Sequence, residues 1–294
     1  MSEPAGTAPR RVCVTGSSGL LGHAVVAELL AAGYEVVGAD RLPPRTEHPA
    51  FRSVTWHGRD VGELARELPG CTGMVHLAAI PQPYLNPDDE VFANNTTATF
   101  AALQAAVGVG ITRIAIASSI SAYGMAFAPA ELRALYVPLD ESHPIRAADP
   151  YAASKEADEV TARMFCRRYE LSIAALRFAW VASREAQLDS AAVRGEPAGG
   201  QELRNLWAYV DDRDAARACR LALEAAEQRP YGFAAMHIVA ADSLAREPLG
   251  DLIARDAPEI EIRRDLGQTG GAWAIDRAES LIGWRPAHSW RHLH

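Results

Sequence analysis

The sequence predicts an α/β fold, a doubly wound parallel sheet with a smaller C-terminal lobe packed over it. Three observations predict it. Short apolar runs alternate with longer amphipathic ones through the first 178 residues, which is the pattern of parallel strands joined by crossover helices. A glycine-rich turn separates the first apolar run from the first helix. Beyond Phe178 the alternation degrades. In chain order the expected strands are Arg11–Thr15, Tyr34–Ala39, Phe51–His57, Gly73–Ala78, Arg113–Ser118 and Ser172–Phe178. Between them fall helices over Leu20–Ala32, closed by Gly33, then Val61–Leu68, Asp88–Val107 and Pro150–Tyr169. Ala179–Asn205 reads as a loop broken by Gly195, Pro197, Gly199 and Gly200. Order returns with Trp207–Val210, a helix over Asp211–Ala226 and a strand over Phe233–Ala240, and only short elements follow Asp242. Residues 1–10 are expected to be a flexible tail. Residues 11–178, with 206–240 returning to them, are expected to form the core, and 179–205 with 241–294 the lobe.

Composition narrows the function. With 294 residues, 49% hydrophobic and 22% charged, the chain can bury a large core. Its net charge of -8 argues against nucleic acid, whose phosphates need a basic face. The cysteines, Cys13, Cys71, Cys166 and Cys219, form no CxxC pair and read as reduced core thiols. No HExxH or Cys/His ligand spacing occurs, so no metal is expected. The N-terminal residues lack an apolar signal core, and no apolar run approaches the ~20 residues of a membrane span. A cytoplasmic protein without a membrane partner is the expectation.

The turn Val14–Gly22 reads VTGSSGLLG. Gly16, Gly19 and Gly22 follow a strand and open a helix, so the backbone can approach a pyrophosphate closely. The helix start offers that anion free N–H groups, with Ser18 and Leu20 in the same turn. The spacing is GxxGxxG, a Rossmann-type nucleotide turn. Asp40 closes the second strand. A carboxylate there accepts from the adenosine ribose hydroxyls and repels a 2′-phosphate, which favours NAD over NADP. Arg41 follows it and softens that preference. Asp60 and Val61, after the third strand, fit an adenine contact, and Asp60 fits a helix cap equally well.

Further stretches follow in a fixed order: HLAA (His76–Ala79), SSISAYG (Ser118–Gly124), YAASK (Tyr151–Lys155), ALRF (Ala175–Phe178), AYVDDRDAARA (Ala208–Ala218) and DRAESLIGWRP (Asp276–Pro286). In these, and in its glycine turn, the chain resembles the extended short-chain dehydrogenase/reductase family, which includes the NAD-dependent sugar-nucleotide epimerases and dehydratases. The resemblance implies a Rossmann fold, an NAD cofactor and hydride transfer at a secondary alcohol of a sugar or sugar nucleotide. It implies that Tyr151 is the acid/base, that Lys155 supports it and holds the nicotinamide ribose, and that Ser119 polarises the substrate oxygen, with Ser118 its competitor. A free phenol titrates near ~10, too high for a base at neutral pH, and a neighbouring ammonium stabilises phenolate. Tyr151 and Lys155, four apart on a helix, share a face. Leu77, Ala78 and Ala79 are expected along the cofactor. Asn95 matches a family Asn in the long helix and is counted with the cofactor contacts, in a structural or water-binding role rather than a chemical one. A homodimer through the helices near 88–107 and 150–169 is implied as well.

Departures bear on the substrate. Ile120 and Ser121 stand where the dehydratases carry an Asp-Glu pair, which argues against elimination. Trp180 stands where sugar-nucleotide enzymes carry an Asn. The short lobe suits a smaller substrate, as in uronate dehydrogenases. Gln82 and Tyr84 after HLAA, and Ser121 beside Ser119, are candidates for lining the cleft. Arg177 and Arg184 are candidates for an anionic substrate group, as are Arg194 and Arg204. Arg177 fits a role in fixing structure by pairing with the core better than a substrate contact. Met125–Asp149 reads as an insertion able to act as a lid. A sensor that binds NAD without turnover is the rival from outside catalysis.

Overall fold

A computed structural model describes residues 10–128, 132–195 and 200–292. The core strands are β1 (Arg11–Thr15), β2 (Glu35–Asp40), β3 (Phe51–Thr55), β4 (Cys71–His76) and β5 (Arg113–Ser119). Between them run α1 (Leu20–Ala31), α2 (Val61–Glu67) and α3 (Asp88–Gly108). After a short strand β6 (Tyr136–Val137) come α4 (Pro150–Tyr169) and β7 (Ser172–Phe178). A strand β8 (Trp180–Ala182) and short helices α5 (Arg184–Leu188), α6 (Ala191–Arg194) and α7 (Gly200–Arg204) follow. The chain then returns through β9 (Tyr209–Asp211), α8 (Asp212–Gln228) and β10 (Phe233–Ile238). It ends in α9 (Leu249–Asp256), β11 (Glu261–Ile262) and α10 (Asp276–Ile282).

Seven strands pair in the order β10-β7-β5-β4-β1-β2-β3, each pair parallel. The doubly wound α/β expectation is therefore met. The strand order reverses direction between β1 and β4, the switch point at whose C-terminal strand ends such sheets bind ligands. The inner strands are mostly apolar because both faces are covered, whereas the edge strand β3 leaves Arg52 and Ser53 exposed. One core cluster joins Val12, Val14, Val25, Leu29, Leu176 and Met236; another, across the sheet, joins Cys13, Met74, Leu103, Ile114 and Phe165.

Helix ends follow local chemistry. Asp149 accepts from Ala152 N at 2.9 Å and Pro150 takes the first turn, so α4 starts where the sequence predicts. Asp211 caps α8, bonding Arg213 N at 3.1 Å. Asp214, fully buried, accepts from Ala287 N and His288 N at 2.9 and 2.8 Å, while its carbonyl accepts from Trp284 Nε1 at 2.9 Å. Those bonds fasten the DRAESLIGWRP stretch to α8.

The region after Phe178 corrects the sequence reading. Residues 179–205, expected to be a loop, contain β8 and three short helices, and β8 pairs with β9. Helices of four or five residues show no periodicity that a sequence window can resolve. The segment expected as a lid is also anchored: β6 pairs with β11, and Leu139 bridges Trp273. Val137, Leu139, Trp207, Leu252 and Trp273 share a third core cluster. Residues 1–9 of the expected tail lie outside the described residues, but Arg10 is held by Glu227 at 2.6 Å. All four cysteines are free, and burial pushes the Cys71 and Cys166 thiols up to about 11.

Two buried histidines give a stability prediction. Burial pushes His76 and His237 down to about 3, so each stays neutral in the fold. In the unfolded chain each takes a proton near pH 6.5. The folded values lie below the unfolded ones, so their contribution is complete above that pH and is lost as pH falls toward 3. Urea unfolding of His76→Gln is expected to show a weaker pH dependence than wild type, by roughly 1 kcal/mol between pH 6 and pH 5. Equal slopes would contradict the burial argument.

Candidate active site

The glycine turn packs backbone against backbone too closely for side chains. Gly16 has φ +71°, and a Cβ there would sit 2.8 Å from Ala78 N, on the stretch leaving β4. A Cβ on Gly22 would sit 1.9 Å from Gly16 O. Only glycine fits these two positions. Gly19 caps α1 without any side-chain hydrogen bond, and Gly19 and Leu20 are exposed. The first-turn N–H groups of α1 are therefore open to an anion. Asp40 braces the turn: its carboxylate accepts from Ser18 N and Leu42 N, each at 2.9 Å. Arg41 is exposed beside it. A cradle that no Cβ could enter, an uncapped helix start and an acid at the end of β2 fit the diphosphate and ribose of NAD.

The far wall comes from β4. Leu77 N and Ala78 N donate to Thr15 Oγ1 at 3.2 and 3.4 Å, and Ala79 is half-buried after them. Asp60 serves as the cap of α2, accepting from Glu63 N at 2.8 Å, while Trp56 Nε1 bonds its carbonyl. Val61 follows, lining an outer groove with Phe100 and Thr161.

Tyr151 and Lys155 stand one turn apart at the start of α4, 8% and 3% exposed. The Lys155 ammonium nitrogen lies 5.6 Å from the Tyr151 ring centroid. Ser119 ends β5 and caps the turn Ile120–Tyr123, which α4 packs against; its hydroxyl oxygen accepts from Ser121 N at 3.0 Å. Ser121 is buried in that turn. Ser118 points elsewhere, donating to Glu159 Oε1 at 2.7 Å. Strand alternation thus separates the two serines: one faces the buried ion pair, the other the turn at the sheet edge. Phe127 meets Tyr151 edge-on at 6.4 Å, Tyr84 meets Phe127 at 5.8 Å, and Tyr84 Oη donates to Phe127 O. Gln82 is exposed on the Tyr84 loop.

Three expected contacts are corrected. Arg177 is buried, and its guanidinium donates to both Glu159 oxygens at 2.8 Å and to Tyr123 Oη at 2.6 Å, so it is closed to substrate. Arg184 is taken up by the carbonyls of Ser289 and His292, and so ties down the C-terminal segment. Asn95, counted with the cofactor contacts, is fully buried. It clips Ile80 N and O and donates to Ser154 Oγ at 3.0 Å, while Ser154 Oγ donates to Tyr151 O at 2.7 Å. Its place is between the β4 exit and the Tyr151 turn. Arg204 likewise bonds Ala128 O, and the side chain of Arg194 lies outside the described residues.

Sequence reasoning missed two buried polar threads. His237 lies 3.0 Å by Nδ1 from Ala274 O and 2.6 Å by Nε2 from Tyr123 Oη. A carbonyl only accepts, so Nδ1 carries the proton, and Tyr123 donates to Nε2 while accepting from Arg177. The other thread runs from Thr15 through His76 (2.7 Å) to Thr99 (3.2 Å), beside Asp158. The signal available was charged or imidazole side chains inside otherwise apolar segments.

Residues 12–234 match the model of the NAD dependent epimerase/dehydratase family. The chain is 34% identical over 154 residues to a UDP-glucose 4-epimerase of Streptomyces lividans, a stretch covering 49% of this chain and 44% of that one. The chain spans about half the length of the curated relatives it matches. A solved structure of MoeE5 with UDP-glucose and NAD superposes with a TM-score of 0.69 at 26% identity, covering 96% and 95% of the two chains. A uronate dehydrogenase from Agrobacterium tumefaciens, at 21% identity and TM-score 0.65 over 97% and 86%, shares the fold. The chain belongs to the NAD dependent epimerase/dehydratase family, within the extended short-chain dehydrogenases/reductases.

The Arg177–Glu159 pair is testable. Arg177→Met would leave Glu159 as a buried carboxylate without its bidentate partner. Unfolding free energy by urea titration is expected to drop by about 3–5 kcal/mol. A loss below about 1 kcal/mol would show that the pair is not what docks α4 on β7.

Proposed function

We propose that the protein is an NAD-dependent oxidoreductase or epimerase that moves hydride at a secondary alcohol of a sugar-like substrate. The observation that carries this reading is the buried Tyr151–Lys155 pair on α4, a helix that packs against the turn capped by Ser119, at the C-terminal end of the sheet where the glycine turn also lies. NAD, held by the glycine turn and Asp40, would supply the acceptor for the hydride that leaves the carbinol carbon. Tyr151 takes the hydroxyl proton as the carbon–hydrogen bond breaks, and returns it when the reaction reverses. The Lys155 ammonium stabilises the phenolate by charge. Ser119, whose oxygen accepts from Ser121 N, keeps its own proton for the substrate oxygen. Net oxidation and epimerisation share this step; they differ in whether the oxidised substrate turns over and takes hydride back.

Family membership and relatives such as the Streptomyces lividans epimerase support a sugar as substrate. Trp180, 46% exposed after β7, stands where a nucleotide diphosphate contact is expected, which favours a smaller sugar acid or polyol as the runner-up. The four free cysteines fit a reducing cytoplasm. Incubation with NAD and a panel of sugar nucleotides, free sugars and sugar acids, read at the NADH absorbance and by chromatography for epimers, tests the class. Turnover on none of them would overturn it. Tyr151→Phe is expected to lose at least ~100-fold in turnover while still binding NAD; undiminished turnover would remove Tyr151 as the base.

A homodimer is part of the same proposal. α3 and α4 pack side by side, and Phe92, Phe100, Val160 and Met164 on them are exposed. Exposed large apolar side chains on two adjacent helices mark an association face. Sedimentation is expected to give a dimer, which Phe100→Glu with Met164→Glu breaks into monomers. A wild-type monomer at micromolar concentration would reject it.

A further inference from the structure

Glu159 on α4 is accounted for by Arg177. Asp158, its neighbour, is not accounted for by the hydride chemistry, yet it is only 2% exposed. Tyr151, Lys155 and Asp158 are spaced by four and three residues, so they follow one face of the helix. Lys155 Nζ lies 3.4 Å from Asp158 Oδ2. The same nitrogen lies 5.6 Å from the centroid of the Tyr151 ring. One buried ammonium therefore answers to both a carboxylate and a phenol. The second carboxylate oxygen, Oδ1, is buried without a hydrogen-bond partner.

We propose that Asp158 is a positioning residue for Lys155: its carboxylate holds the ammonium against α4 and opposes part of the positive field on the Tyr151 phenol. It thereby sets the pH above which that phenol serves as a base. The proposal rests on Tyr151 being the base, as argued above.

The surroundings isolate this pair. On α4 itself the charged neighbours are Glu156, half-buried beside Lys155, and Glu159, which pairs with Arg177 of β7 and with Arg163 one turn on. From α3, Asn95 and Thr99 face inward, both uncharged. β5 contributes Ser118, bonded to Glu159. β4 contributes His76, which burial and the Lys155 charge hold neutral. Burial pushes Asp158 up to about 6, against the pull of Lys155 and of the Thr99 hydroxyl, so the carboxylate is ionised where the enzyme would oxidise an alcohol. A carboxylate at this distance from an ammonium screens that ammonium's effect on a third group in low dielectric.

The test needs no substrate. The NAD-saturated protein is titrated with alkali, and phenolate absorbance near 295 nm is followed after subtracting the Tyr151→Phe protein. Wild type is expected to show a Tyr151 midpoint below the ~10 of a free phenol. Asp158→Asn and Asp158→Ala are each expected to lower that midpoint by about one pH unit. Asp158→Glu is expected to restore it toward wild type. A merely structural Asp158 would lower the thermal midpoint of its variants and leave the Tyr151 midpoint in place. That result, in whichever of the Asn and Ala variants folds, overturns the proposal. A wild-type midpoint at or above ~10 overturns the reading of Tyr151 as base instead, and is told apart by needing no Asp158 variant.

Discussion

The bidentate contact between Arg177 and Glu159 is the interaction on which the rest of the site depends. It crosses from β7 to α4, out of contact with water, and three further side chains take their orientation from it. Ser118 donates to Glu159, Tyr123 accepts from Arg177, and His237 accepts from Tyr123 while donating to Ala274 O. A buried charge without a partner is costly, so neither side chain can turn away. With both ends fixed, α4 has one seating on the sheet, and Tyr151 and Lys155 follow because they stand on that helix. Ser119 is placed by the same arrangement from the other side, since its neighbour on the strand is the one tied to Glu159.

A second constraint acts at the other end of the site, where atoms are simply too close for anything but glycine. The turn after β1, the exit from β4 and the start of α1 occupy nearly the same volume, and Asp40 draws the end of β2 into the group. Asn95 then links the β4 exit to the Tyr151 turn through Ile80 and Ser154. The two halves of the site are thus connected by hydrogen bonds between buried groups, with no reliance on surface loops.

The core architecture was legible because its signals are periodic or steric. Parallel strands buried on two faces leave apolar runs, caps such as Asp149 leave a polar residue before Pro150, and GxxGxxG leaves glycines where no side chain fits. Tyr151, Lys155 and Ser119 were marked as candidates by the order of motifs. The role of Arg184 was not legible, nor were the partners of Asn95 and Arg177, because a one-dimensional reading gives residue type and spacing but no direction. Arg177 on a strand can point to solvent, cleft or core, and only the register against Ser118 and the approach of Glu159 decide. Asp158 was passed over for a related reason: an acidic residue beside Glu159 on a charged helix resembles a solvated face until its neighbours bury it. The short helices of 184–204 fell below the length at which apolar spacing carries information.

The pairing of β6 with β11 bears on how this scaffold can be re-engineered. The third core cluster draws on residues near 120–139, 179–208 and 239–273, separate stretches of chain that meet only in the folded molecule. A chimera that exchanged just the C-terminal stretch for a relative's would leave Tyr136 and Val137 facing a foreign edge, with Trp273 no longer opposite Leu139. New selectivity therefore has to be transplanted as a set of discontinuous pieces, each cut at the sheet, or else introduced by point changes that leave the seams between those pieces intact.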